Sequence, residues 1–321
     1  MHRRTLLVGS ALSLAPLALA RGARAAGKTY TIGYSQFWGT NPFLVTMANG
    51  AKKAIGEWQT KGVTVNMILT NGGDTDTTRQ VADLEDLDAQ GVQGLILFPG
   101  DSIVLAEPVK NIFNKKNIPV VITDIGLQSG KWEAFIITDN TAGGRQAAEL
   151  ISKNVPKGAK VIVFDHAPGN DNAQNRARGF EQRSTELGLT VMPRKLLKLS
   201  LEEGRRTMED TLVSTPDIAG AFFMNQVVAQ GAYAALEGAK RTDVKLVPFD
   251  IDAVSFQMVK DGKLLGIIIQ DPYKMGYEGM NAMLTKLQGG TPQARMDLPT
   301  YVVTKDNADQ FAKDPQVTGG A

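Results

Sequence analysis

Polar and charged side chains stand where several apolar, strand-like runs of this 321-residue chain end. They comprise a hydroxyl, two carboxamides, two carboxylates and, near the start of a later helix, a guanidinium: Ser35, Asn225, Gln270, Asp124, Asp250 and Arg176. Carboxylates and a guanidinium form charge-assisted hydrogen bonds, and carboxamides both donate and accept. Any one of them alone is more often a turn former or a helix cap. Together they suit a neutral polyhydroxylated ligand.

Aromatic residues adjoin the first of these positions. Segment 32–44 reads as a strand, a polar and aromatic loop, and a helix that begins with Asn41 as N-cap and Pro42 at its first position. Trp38 and Phe43 offer aromatic faces to the apolar side of a sugar ring. Trp38, Asn41 and Phe43 therefore join the predicted binding residues.

Strand and helix patterns alternate along the chain, which predicts parallel sheets with crossover helices. One such strand is expected over 190–197. The pattern restarts near Ala142, and the chain is longer than one core usually supports, so we predict an α/β fold with two similar doubly wound lobes. In open α/β sheets, ligands bind beyond the carboxyl ends of the strands, where the polar residues stand.

The first 25 residues predict an export signal. Arg3 and Arg4 precede an apolar run, and an Ala-x-Ala site at 23–25 precedes Ala26. The twin-arginine and general secretory routes both remain open. Without this segment the chain carries 31 basic and 33 acidic residues and no basic stripe, so no nucleic-acid partner is expected. We expect a periplasmic protein.

The sequence carries no cysteine, which excludes disulfides, thiolate metal sites and a lipid-anchored cysteine. No apolar run after the signal is long enough for a membrane span. His166 is the only histidine after the signal, and the nucleophile-elbow, P-loop and dinucleotide-binding motifs are absent. We therefore expect a binding protein without catalytic residues, metal or cofactor. A carbohydrate-active enzyme that uses Asp124 and Asp250 as its carboxylate pair is the less favoured alternative.

Several short motifs, in order and spacing, resemble the ribose-type periplasmic solute-binding proteins of ABC importers, which have the type I periplasmic binding protein fold. The resemblance covers the whole length after the signal. The motifs are NPF at 41–43, PVVITD ending at Asp124, DNTAGG at 139–144, RARGF at 176–180, AFFMN ending at Asn225, VPFD at 247–250 and GIIIQD at 266–271.

The resemblance implies a sugar site between the two lobes, lined by Ser35, Asn41, Phe43, Asp124, Arg176, Asn225, Phe249, Asp250 and Gln270. It implies one lobe from 28–138 and 271–299, another from 139–270 and 300–315, and a tail at 316–321. Three hinge crossings, near 138–139, 270–271 and 298–300, would let the lobes close on a sugar or polyol. The closed monomer would then dock on a membrane permease driven by its ATPase.

This chain departs from the family pattern at several of its positions. Ile125 follows the strand-end aspartate where an arginine is frequent, and Leu44, Leu199 and Gln226 replace aromatic or acidic residues. The expected site is therefore net negative, with Asp124 and Asp250 against Arg176. These changes predict a sugar or sugar alcohol other than ribose, with an apolar edge against Ile125. An amine-bearing ligand also fits the charge, and a chemotaxis or signalling receptor is an alternative role.

Overall fold

The structure, a computed structural model of the chain, describes residues 28–72, 76–165 and 171–318. The predicted export signal and His166 lie outside the described residues, as does the chain end from residue 319.

The first lobe is built on a parallel sheet of six strands in the order β12-β5-β4-β3-β1-β2. Its strands are β1 (Lys28–Ser35), β2 (Val63–Thr70), β3 (Gly94–Leu97), β4 (Val120–Thr123), β5 (Ala134–Thr138) and β12 (Arg295–Leu298). Its helices are α1 (Pro42–Thr60), α2 (Thr77–Ala89), α3 (Ala106–Pro108), which continues as a π-helical segment (Val109–Asn114), and α9 (Pro272–Leu287). Every residue of β3 and β4 is buried, because helices cover both faces of the sheet.

The second lobe is built on β6 (Lys160–Asp165), β7 (Thr190–Val191), β8 (Lys195–Leu196), β9 (Ile218–Phe223) and β10 (Lys245–Pro248). The order is β10-β9-β6-β7, with β8 also beside β6. A bridge between Phe249 and Ile268 attaches the antiparallel pair β11 (Ile267–Ile269) and β13 (Tyr301–Val303). Its helices are α4 (Asn140–Ser152), α5 (Asp171–Glu186), α6 (Leu201–Ser214), α7 (Gln226–Gly238), α8 (Ala253–Lys260) and the short α10 (Pro315–Thr318), preceded by a 3-10 turn (Ala308–Phe311).

The predicted α/β fold with two parallel-sheet lobes is confirmed. The chain passes between the two sheets three times: from β5 to α4, from β11 to α9, and from β12 to β13. Among the described residues, no helix has both the length and the apolar character needed to cross a bilayer.

Two details differ from the sequence-based expectations. The strand predicted over 190–197 is broken between β7 and β8, where Pro193 lacks a ladder donor and Arg194 leaves the sheet to pair with Glu181 and Asp165. The predicted tail also begins within ordered structure, because residues up to Thr318 belong to α10 and Gln316 is only 5% exposed.

Close helix packing fixes the element that carries the predicted arginine. A Cβ atom added to Gly144 in α4 would lie 2.0 Å from the carbonyl oxygen of Arg176, and one added to Gly179 in α5 would lie 2.1 Å from that of Thr141. Only glycine allows the two backbones to approach this closely. The middle of α5 is thereby held against the start of α4, at the edge where the lobes meet.

Candidate ligand-binding site

The two strand-end aspartates occupy corresponding positions in the two lobes. Asp124 follows β4 and Asp250 lies just beyond β10, and both have left-handed backbones, with φ of +62° and +65°. Each backbone N–H donates to the next strand, that of Asp124 to Ile136 at 2.8 Å and that of Asp250 to Ile268 at 2.9 Å. Because this conformation is unusual for residues other than glycine, it marks both positions as functional candidates.

The guanidinium of Arg176 is fixed from several sides. Its Nε donates to the side-chain oxygen of Asn140 at 2.8 Å, and one terminal nitrogen donates to the carbonyl of Met224 at 3.1 Å. The same nitrogen lies 3.6 Å from a carboxylate oxygen of Asp250, and the group stacks 3.7 Å above the ring centre of Phe249. Since the side chain is buried and held in place, a ligand would meet a donor that needs little ordering.

A ring of polar contacts joins these groups to the places where the chain crosses between lobes. Thr138 donates its hydroxyl proton to Gln270 at 2.5 Å, and Gln270 donates to Asp250 at 2.7 Å. Asp250 faces Arg176, Arg176 donates to Asn140, and Asn140 donates to the carbonyl of Thr138 at 3.1 Å. The first and second crossings are therefore connected, through side chains, to the charged groups of the site.

Asp124 carries an unsatisfied buried oxygen. Its Oδ1 has no hydrogen-bond partner among the described residues, and the residue is 7% exposed. Burial raises the pKa of the carboxyl from 3.8 to about 7; the Arg176 charge opposes this shift and the Asp250 charge adds to it. A buried polar atom without a partner is rare in proteins, and here a ligand donor would satisfy it.

These residues surround one cavity of about 690 Å³, within the range typical of small-molecule sites. Eight predicted binding residues line it: Trp38, Asn41, Phe43, Asp124, Arg176, Asn225, Asp250 and Gln270. Asn41 and Asn225 cap α1 and α7 through their side-chain oxygens, at 2.9 and 3.1 Å from the capped N–H groups. Within the described residues their amide nitrogens have no hydrogen-bond partner, so each can still donate.

The structure does not place Ser35 or Phe249 on the cavity wall. Ser35 is fully buried under α2, where its hydroxyl accepts from Gln80 at 3.3 Å. Phe249 is fully buried beneath the guanidinium of Arg176 and packs edge-on against Phe222. We correct both predictions: Ser35 is bonded to α2 through Gln80, and Phe249 supports the arginine.

Several wall residues were not predicted as binding residues. Asn172, at the start of α5, donates across the cleft to the carbonyl of Asp124 at 3.2 Å. Asp252 caps α8 and accepts from Gln226 and Gln230 at 3.3 and 3.0 Å. Gln316, from α10, also lines the cavity.

Apolar side chains cover much of the remaining wall: Phe37, Leu44, Phe98, Ile125, Leu199, Met224, Val227 and Ile251. Ile125 and Leu199 hold the positions where the sequence suggested a loss of polar or aromatic contacts. Within 28–72, 76–165 and 171–318, no group of three or more acidic or histidine side chains could hold a metal ion. The arrangement is thus suited to an organic ligand with one hydrogen-bonding part and one apolar part.

The sequence is similar to known proteins over most of its length. A profile of the periplasmic binding protein domain matches residues 32–291. The chain is 30% identical over 302 residues to the ribose import binding protein of Bacillus subtilis strain 168, covering 94% of this chain and 96% of that one. It is also 30% identical over 265 residues to the corresponding protein of Escherichia coli K12, covering 83% and 87%.

Solved structures have the same fold. A carbohydrate transporter solute-binding protein from Agrobacterium radiobacter, in complex with D-arabinose, is 28% identical, with a TM-score of 0.73 over 90% of this chain and 98% of that one. A periplasmic ribose ABC transporter protein from Conexibacter woesei superposes with a TM-score of 0.82 over 91% and 97% at 20% identity. With two parallel-sheet lobes around one cavity and a family profile matching most of its length, the chain belongs to the periplasmic binding protein family.

Proposed function

We propose that the chain is an exported receptor that captures a sugar or sugar alcohol between its lobes and delivers it to the permease of an ABC importer. The observation that carries this proposal is the convergence, on one cavity, of Asp124 from the first lobe and Arg176 and Asp250 from the second. The relatives named above are a ribose import binding protein and a protein bound to D-arabinose.

The ligand contacts follow from the chemistry of the wall. Asp124 and Asp250 accept from ligand hydroxyls, while Arg176, Asn41 and Asn225 donate to them. Aromatic rings of the first loop cover the C–H face of the sugar ring, and Ile125 contacts an apolar or deoxygenated edge. On closure, the lobe formed by 28–138 and 271–299 would rotate relative to the lobe formed by 139–270 and 300–315, about the three crossings.

An amine-bearing sugar is a second candidate. Asp124, Asp250 and Asp252 all line the cavity, and Arg176 is the one cationic side chain on its wall among the described residues. A protonated amine would find carboxylate acceptors at the polar end. Ligands that are themselves anionic are disfavoured by the same charges.

We further propose that the chain binds its ligand without cleaving it. Asp250 is engaged by Gln270 and faces Arg176, so its oxygens are held for binding and are not placed to activate a water molecule. Incubation with aryl glycosides should release no phenol. Export through the 1–25 signal, cleavage near Ala25 and a monomeric state are parts of the same proposal, and mass spectrometry and light scattering of the periplasmic protein test them.

The test is a thermal-shift screen of the purified mature chain with sugars, polyols and amino sugars. A ligand at one hundred times its dissociation constant should add about 2.7 kcal/mol to the free energy of unfolding. Stabilisation by neutral sugars or polyols supports the first candidate, and stabilisation by amino sugars alone supports the second. Stabilisation only by anionic solutes contradicts both.

A further inference from the structure

The last described segment of the chain is anchored on the second lobe. We refer to residues 304–318 as the C-terminal strap. Phe311 and Val317 pack against the second-lobe core, Ala308 is buried, and Asp309 pairs with Lys260 of α8 at 3.0 Å. The family profile ends at residue 291, before the strap begins.

The far end of the strap reaches the first lobe. Its helical turn α10 contacts both α8 of the second lobe and α1 of the first. Gln316 in this turn is 5% exposed, and its backbone N–H donates to Asp314 at 2.8 Å, which fixes the turn. The strap therefore spans the cleft at the hinge side, next to the crossing at 270–271.

A second cavity, of about 480 Å³, lies behind this turn. Its wall includes Thr46 of α1, Tyr273 of α9 and Tyr301 of β13. Of the residues that the structure describes, two line both this cavity and the ligand cavity, namely Gln270 and Gln316. Gln270 is engaged with Thr138 and Asp250, whereas the side-chain amide of Gln316 donates within the strap, to Asp314 at 3.3 Å. Gln316 is therefore the strap's contribution to the partition, and its removal would open one cavity to the other.

We propose that the C-terminal strap forms the hinge-side end wall of the ligand cavity and that Gln316 is a specificity-determining residue there, limiting the length of the ligand. This inference rests on the proposed function for the ligand's chemical class. A shorter side chain at 316 would remove one polar wall contact and add the space of the second cavity. Monosaccharides should then bind more weakly, and longer ligands should gain relative to them.

The first experiment measures binding of D-ribose, D-allose, xylitol and a disaccharide, trehalose, to the full mature chain by calorimetry. Gln316→Ala should raise the Kd of the best monosaccharide or polyol about fivefold, the loss expected for one neutral hydrogen bond, and should raise trehalose affinity relative to it. Gln310→Ala is the matched control, because Gln310 is an exposed strap residue that lines the second cavity only. Equal affinities in wild type and Gln316→Ala would overturn the proposal.

The second experiment needs no ligand. Val317→Asp places a charge against the second-lobe core and should release α10, so that hydrogen exchange in the first turns of α1 becomes about tenfold faster. Val213→Asp is the control, because Val213 in α6 is 85% exposed, and it should leave α1 unchanged. Unchanged exchange of α1 in Val317→Asp would overturn the strap's placement. If the wild-type chain bound no sugar or polyol, the proposed function would fail, and this exchange measurement would still test whether the strap contacts α1.

Discussion

Replacing Asp124 with asparagine should stabilise the protein while it weakens ligand binding. The carboxyl is buried, and no described residue donates to its Oδ1. Its backbone lies at φ +62°, a region in which asparagine is among the best-tolerated residues. The variant keeps the shape of the side chain and eliminates a buried negative charge. The amide oxygen can still accept from a ligand hydroxyl, but it carries no charge, so a hydroxyl that donates to Asp124 keeps only a weaker, neutral hydrogen bond.

The magnitude follows from the pKa of Asp124, which burial raises from 3.8 in an unfolded chain to about 7. Between these pH values the folded chain holds a proton that the unfolded chain has released, so wild-type stability falls as the pH rises. The total loss, complete above pH 7, is about 4 kcal/mol, because each tenfold change in the proton equilibrium is worth about 1.4 kcal/mol. Asp124→Asn lacks this loss.

Urea unfolding of both proteins at pH 4 and pH 8.5 tests this reasoning. The two should have nearly equal free energies of unfolding at pH 4, and the variant should be more stable by up to about 4 kcal/mol at pH 8.5. Asp250→Asn is the control: its side chain is 27% exposed and faces Arg176, so its loss should destabilise the chain. A variant less stable than wild type at pH 8.5, or a difference independent of pH, would refute the argument.

Three further predictions concern the ligand and the packing behind it. Arg176→Ala should raise the Kd of the bound sugar at least about tenfold, and Arg176→Lys should recover little, because an ammonium group lacks the planar fork; calorimetry measures both. Wild-type affinity should fall as the pH drops from 8 to 5.5, because a ligand hydroxyl favours ionised Asp124, whose pKa is about 7 in the free protein. Ligand binding should therefore release a proton, and an affinity that is independent of pH would contradict this. Gly144→Ala should lower the free energy of unfolding by about 1–3 kcal/mol, because its Cβ would lie 2.0 Å from the Arg176 carbonyl oxygen. Gly56→Ala is the control in the same denaturation assay: a Cβ there would meet nothing within 4 Å, so the change should be neutral or stabilising.

The strand-end positions of the site could be read from the sequence because their signal is local. Asp124 and Asp250 each end an apolar run, and parallel strands bring their carboxyl ends to one edge of the sheet. Asn41 and Asn225 are recognisable from the sequence as strand-to-helix residues for the same reason. The fold and these positions depend on patterns within about ten residues.

The sequence-based prediction of the site failed where the direction of a side chain, or a contact between residues far apart in the chain, decides which residues line the cavity. Ser35 shares a face of β1 with Gly33, whose Cβ position lies 2.9 Å from Leu87 of α2, so alternation along the strand directs Ser35 away from the cavity. Phe249 lies beneath Arg176, and that contact joins residues far apart in the chain. Gln316 stands in a segment without helical periodicity, 46 residues after Gln270, and nothing local indicates its contact with the cavity.

The most direct test of the central claim is a calorimetric titration of sugars and polyols into the purified mature chain, with Asp124→Asn and Arg176→Ala measured alongside. A ligand held between both lobes should bind with one site per chain, and each variant, altered in a different lobe, should weaken it at least about tenfold. Binding that survives both substitutions would contradict the claim, as would a chain that binds no neutral sugar, polyol or amino sugar.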